Sequence, residues 1–221
     1  MLSHERGNRI WPREKGGAMT GRESARQTRR EETTSAMLDA AERLFSEQGF
    51  TAVSVRDIAD AAGVSHALVH RYLGSKEEIY RAVLQRNEDV MLAAAGAAGD
   101  LDEALSLMYR EGLAHHRDYL RLIAHSALHG LSYESTIGRF PATERLIELA
   151  EERAARAGTT PEVPPRVVVA AIVSLYLGWA SMDVWMNQVA GLEALDDETI
   201  AAGVERVILT IADSLVPGGD G

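Results

Sequence analysis

The 221-residue chain contains no cysteine, which excludes disulfide staples and thiolate chemistry and fits a reducing, cytoplasmic compartment. Its N-terminal stretch lacks the apolar core of a signal peptide, and Met19 offers a second candidate start. Positive charge is in short supply: 23 Lys+Arg face 33 Asp+Glu, a formal net charge of −10. No nucleophile–base pair, phosphate-binding glycine loop or zinc-protease motif can be read along the chain, so neither an enzyme nor a cofactor is expected.

The charge deficit is uneven. Residues 1–90 hold 14 Lys+Arg and 14 Asp+Glu, whereas residues 91–221 hold 9 and 19. An acidic second part adds solubility, and its field repels a polyanion. Any contact with a polyanion would then have to come from local groups in the first part and be strongly salt-sensitive.

Those groups occur in Ser54–Lys76, SVRDIADAAGVSHALVHRYLGSK. Ser54 with Asp57, and Ser75 with Glu78, have the spacing of capping boxes that open helices. Gly63 stands where the chain turns sharply between two short helices. Ile58, Ala59, Ala62, Val64 and Val69 fall where those helices face each other, and Ala59 is small enough to let them cross closely. Ser65, His66, Ala67, His70 and Arg71 are left on the outer face of the second helix, which carries hydrogen-bonding groups and no run of carboxylates. A helical hairpin with a glycine turn would share the spacing. The amphipathic helix before it (Thr34–Gly49, with Met37, Ala41, Leu44 and Phe45 on one side) favours a helix-turn-helix whose second helix enters the major groove.

Thr34–Leu84 resembles the tetracycline-repressor (TetR) family of transcription regulators, through AAERLFSEQGFTAVSVRDIADAAGVS and LVHRYLGSKEEIYRAVL. The resemblance implies an all-α homodimer, with an N-terminal three-helix DNA-binding domain and a C-terminal helical ligand-binding and dimerisation domain. It implies an inverted-repeat operator in double-stranded DNA and a small-molecule effector. By position it places His66 and Ala67 at base edges, Arg56 and His70 at bases or phosphates, and Ser54, Tyr72 and Lys76 at phosphates. Two positions depart from the family pattern. Leu68 stands where a small polar residue is common, and either meets a thymine methyl group or packs inward. His70 replaces a more usual tyrosine. Both put the operator sequence in question rather than DNA binding.

The domains expected are residues 1–30, a disordered basic arm; 31–76, the helix-turn-helix domain; and 77–217, the ligand-binding and dimerisation domain. Arg22, Arg26, Arg29 and Arg30 in the arm either reach the minor groove or phosphates, or belong to a solvated tail. Glycines and prolines divide the remainder into helices at Ser75–Ala98, Leu101–His115, Arg117–Leu128, Pro141–Ala157 and Pro165–Ala190, with a loop at Gly130–Phe140. Asp196 caps a last helix that runs to Leu215. Val167–Met182 is almost wholly apolar but slightly short for a membrane span and followed at once by Asp183, so a buried interface is expected and no membrane. The last helix carries an apolar stripe of Ile200, Val204, Val207, Ile208, Ile211 and Leu215. Together the two can form a four-helix dimer interface.

Met108, Tyr119, His125, His129, Tyr176, Trp179, Met182 and Asp183 are candidate ligand contacts, with plain core packing as the alternative. They suit a mostly apolar ligand. His125 and His129 have metal-ligand spacing, but no carboxylate is placed beside them and no metal is expected. A regulator or architectural protein of the same fold without an inducer is the competing reading. A tightly packed second domain would favour it.

Overall fold

The computed structural model describes residues 21–128, 139–158 and 160–218; among these the regular structure is helical, with no strand. Four helices build the N-terminal region: α1 (Gly21–Ala52), α2 (Val55–Ala61), α3 (His66–Leu73) and α4 (Lys76–Ala97). Then come α5 (Leu101–His115), α6 (Arg117–Leu128), α7 (Pro141–Ala157), α8 (Pro165–Val189) and α9 (Asp197–Leu215), with a 3-10 turn at Leu192–Ala194. The expected loop at Gly130–Phe140 lies largely outside the described residues.

Boundary chemistry accounts for the start of most helices. Ser54 Oγ accepts from the Asp57 N–H (3.2 Å), and the Asp57 carboxylate accepts from the Ser54 N–H (2.8 Å). Ser75 and Glu78 repeat the exchange at 3.2 and 2.7 Å. These bonds satisfy orphan donors of the first turn. They also hold both carboxyls below their ordinary pKa, by the side-chain bond of Ser54 at Asp57 and the backbone N–H of Ser75 at Glu78. Asp100 and Asp196 cap α5 and α9 in the simpler way. Helix α7 has no side-chain cap of its own, and a carboxylate from α4 takes that place: Glu88 Oε1 accepts from the Ala142 N–H at 2.8 Å.

Helix α1 corrects the sequence expectation. The chain is helical from Gly21, so residues 21–30 are not a disordered arm; residues 1–20 lie outside the described residues. The segment 22–32 contains good helix formers and neither Gly nor Pro, and Gln27 Nε2 donates to Glu31 Oε1 one turn on (2.5 Å). Apolar periodicity, which reports burial, cannot detect such an exposed helix. Near its other end α1 kinks at Gly49 (φ 78°, ψ 160°), a left-handed backbone that favours glycine.

One core runs through both halves of the molecule, from Met37, Phe45, Ile58 and Val69 to Leu105, Leu122, Leu146, Ile172 and Ile208. Helix α4 is therefore not the sole link between them. Helix α1 packs directly on α6. Phe45, Phe50 and Tyr80 form an aromatic cluster with centroids 4.9–5.8 Å apart, and the Tyr80 hydroxyl is hydrogen-bonded to Ser126 of α6.

Helix α8 is long and apolar enough to cross a membrane by length and composition. It packs on α6 and α7 through Val168, Val169, Ile172, Tyr176 and Ala180. Its other face shows Met182, Val184, Trp185 and Val189 to solvent, and α9 adds Val207 and Leu215. The expected α9 stripe is thus split: Ile208 is buried in the subunit, while Val207 and Leu215 extend the exposed face. An exposed apolar surface of this kind marks an association site.

Candidate nucleic-acid interface and ligand cavity

Helices α2 and α3 meet as the spacing predicts. Gly63 takes φ 66° in the turn, and the Val64 N–H closes it on the Ala59 carbonyl at 3.0 Å. Ile58, Ala59 and Val69 are buried between the helices. Ser65 caps α3, its Oγ accepting from the Leu68 N–H at 3.3 Å. Arg56, His66, Ala67, His70 and Arg71 are all exposed on the outer surface. The His66 and His70 rings pack edge to face with centroids 4.5 Å apart, which orients both imidazoles. Leu68 is half-buried, in line with the packing alternative.

Lys76 is placed differently from the phosphate-contact position expected of it. Its ammonium donates to the carbonyls of Phe50 (2.8 Å), Thr51 (3.3 Å) and Val53 (2.8 Å), and lies 4.4 Å from the centre of the Phe50 ring. An ammonium has three donors, and all are engaged in tying the α1–α2 connection to α4. Ser54 is exposed, but its hydroxyl donates to Asp57 Oδ2 at 2.6 Å and belongs to the cap. Tyr72 is half-buried beneath the Arg30 guanidinium, 5.1 Å from the ring centre.

The candidate ligand residues do not form one site. Met108, Tyr119 and Tyr176 line an apolar cavity of about 60 Å³ among α4, α5, α6, α7 and α8, with Met91, Leu120, Ile123, Val173 and Leu177. Trp179 and Asp183 line a separate open cleft of about 710 Å³ between α5, α8 and α9. The Asp183 carboxylate is buried and paired there with Arg117 and Arg121 of α6. His125 borders a third space, about 210 Å³, at the α1–α6 junction. Met182, 55% exposed, lies on the outward apolar face and not in a cavity. His129 lies outside the described residues. Among those residues no cluster of three His, Asp or Glu is arranged to hold a metal.

The apolar cavity contains a group the sequence reading missed. Glu88 of α4 is 2% exposed, and its Oε2 accepts from the Tyr119 hydroxyl at 2.8 Å while Oε1 caps α7. Burial pushes its carboxyl above the ordinary pKa, against these two bonds. The signal was present: Glu88 continues the buried stripe of Leu84, Met91 and Ala95, where a carboxylate has no business unless it is bonded. Tyr109 borders both the cavity and the cleft; its buried hydroxyl has no hydrogen-bond partner among the described residues, and burial pushes its pKa up to about 12.

Residues 37–83, which hold this helix-turn-helix, match the family described as bacterial regulatory proteins, tetR family. The chain is 27% identical over 186 residues to the HTH-type transcriptional repressor Rv3405c of Mycobacterium tuberculosis, covering 84% of this chain and 92% of that one. It is 42% identical over 79 residues to the HTH-type transcriptional regulator BetI of Rhizobium meliloti, covering 34% and 39%. Its fold is similar to that of the putative transcriptional regulator SCO4942 of Streptomyces coelicolor, with a TM-score of 0.63, 24% identity and 84% and 99% of the two chains covered. A capped helix-turn-helix with an open polar face, set on an all-helical second domain, agrees with each of these likenesses: residues 37–83 are a DNA-binding region of the tetR family of bacterial regulatory proteins.

Proposed function

We propose that this DNA-binding regulator is a cytoplasmic repressor that grips an inverted-repeat operator as a homodimer and lets go when a small, mostly apolar molecule enters the α4–α8 cavity. The observation that carries the DNA reading is the outer face of α2 and α3, where Arg56, His66, Ala67, His70 and Arg71 stand exposed. Arg56 can take guanine O6 and N7 in a fork. Ser65, His66 and Ala67 lead α3 into the groove, and the two-fold axis of a dimer doubles the contacts. The exposed apolar face of α8 and α9 supports the pairing of two copies.

Release follows from how α4 is held. Its first residue, Lys76, is bonded to the α1–α2 connection, and Glu88, three turns on, is bonded to α7 and to Tyr119 of α6. At about 60 Å³ the cavity is far below the roughly 300–1,000 Å³ of a drug-sized site. A ligand must therefore part α7 from α4, and the displaced α4 carries its helix-turn-helix off the half-site. The ligand moves the equilibrium only by its preference for the open state.

The small cavity also favours a second reading, a regulator of the same fold that needs no inducer. Selection of binding sites from random duplex DNA tests the first claim, with an enriched inverted repeat as the expected result. Titrating a library of apolar molecules against that complex separates the two readings. Release by any of them supports the inducer, and unchanged affinity throughout supports the second reading.

A further inference from the structure

We propose that the first turns of α1 and the end of α3 form a second DNA contact, a groove that takes the phosphate backbone flanking the half-site read by α3. This rests on the DNA-binding reading above and adds to it a surface that the helix-turn-helix does not contain. Arg26, Arg29, Arg30 and Thr33 recur at i, i+3, i+4 and i+7, so they share one face of α1. That face lies beside α3, and with Arg71 and Tyr72 it lines an open groove of about 900 Å³. Among the described residues no carboxylate lines the groove. Glu31 and Glu32 fall on other faces of the helix, and Glu31 is held by Gln27.

Among the described residues none of the four arginines is ion-paired with a carboxylate. Four guanidiniums around one groove repel each other, and an anion with regularly spaced charges relieves that repulsion. Stacking on Tyr72 fixes the plane of the Arg30 fork. The occupant follows from continuity. Arg71 lies one turn beyond the leading residues of α3, so the groove opens where a duplex seated on His66 and Ala67 would continue. Its phosphates are the anions within reach.

The test compares wild type with the double variant Arg26→Ala/Arg29→Ala on a 40-base-pair random-sequence duplex across a salt series. The double variant Arg156→Ala/Arg166→Ala, at exposed positions of α7 and α8, removes the same net charge far from the groove. Losing two phosphate contacts should flatten the log–log salt slope by roughly two and weaken low-salt binding about tenfold or more. The control should leave both unchanged, and Arg26→Lys/Arg29→Lys should restore the slope. The groove side chains are exposed, so the melting temperature should not move. A slope equal to wild type, or an equal loss in the control, overturns the groove. A wild-type protein that binds no duplex at any salt overturns the DNA reading itself, a different result.

Discussion

Arginine is used in opposite ways at the two ends of this molecule. In the C-terminal half most of it is neutralised at home: Arg110 on Glu205, Arg117 and Arg121 on Asp183, Arg145 on Glu148, Arg153 on Asp102 and Asp213, Arg166 on Glu151. At the DNA-facing end, Arg26, Arg29, Arg30, Arg56 and Arg71 have no carboxylate partner among the described residues. Several of the carboxylates there are already committed. Asp57 and Glu78 close capping boxes, and Asp39 and Glu42 hold Arg86, which ties α4 to α1. Charge available to a partner is therefore not the same as net charge. A region with as many acids as bases can present free guanidiniums if its acids are spent inside the fold.

The sharpest way to break the comparison is to put a charge where the C-terminal half has none. Trp185 is 60% exposed in the centre of the apolar α8 face. Trp185→Glu should convert a dimer to a monomer in sedimentation. Operator affinity should fall with it by roughly 10²–10⁴-fold, the avidity gained by linking two modules. A variant that stays dimeric would place the association surface elsewhere.

Lys76 is the exception at the DNA end, a cation spent inside the fold. Lys76→Met should cost about 1.5–3 kcal/mol in urea unfolding, the range for hydrogen bonds involving a charged group, with the salt slope of non-specific DNA binding unchanged. A flattened slope at unchanged stability would return Lys76 to the phosphate contacts.

Lys76, Met182 and Glu88 also show what the sequence could and could not disclose. Helix boundaries were legible because caps and breakers act within four residues: Asp196 opens α9, Pro165 starts α8 and Asp100 caps α5. The helix-turn-helix was legible for the same reason. Lys76 was not, because its partners lie 23–26 residues earlier and are backbone carbonyls, which leave no trace in side-chain identity. Met182 was misplaced because a helix apolar on every side gives no sign of which face turns inward. Glu88 was overlooked although it interrupts an apolar stripe, because its partners, Tyr119 and Ala142, sit on helices 31 and 54 residues away.

The base-reading face offers a finer test. Arg56→Ala and His66→Ala should each weaken binding to the selected inverted repeat by about 1–3 kcal/mol if they make good base contacts. Both should cost less on random duplex, because base contacts carry the specificity and phosphate contacts do not. Equal losses on both DNAs would make them phosphate ligands like those proposed for the α1 groove.

The smallest expected effect concerns Glu88, a buried carboxylate of the C-terminal core whose partners are neutral donors rather than arginines. Its folded pKa is raised by burial above the ordinary glutamate value of 4.5. The folded state then holds its proton to higher pH than the unfolded state does. The stability tied to this proton is complete below the unfolded pKa and is lost as pH rises through the folded value. Glu88→Gln keeps an acceptor for the Ala142 N–H and an amide beside the Tyr119 hydroxyl, but it cannot titrate. Melting temperatures of variant and wild type should therefore differ by a constant amount below about pH 4 and shift progressively in favour of the variant toward neutrality. Asp183→Asn should instead lower the melting temperature, since it strips the charge that neutralises Arg117 and Arg121. If Glu88→Gln instead loses stability as pH rises, the α7 cap and Tyr119 hold a charged carboxylate strongly enough to outweigh its burial, and Glu88 is a buried anion like the ion-paired Asp183.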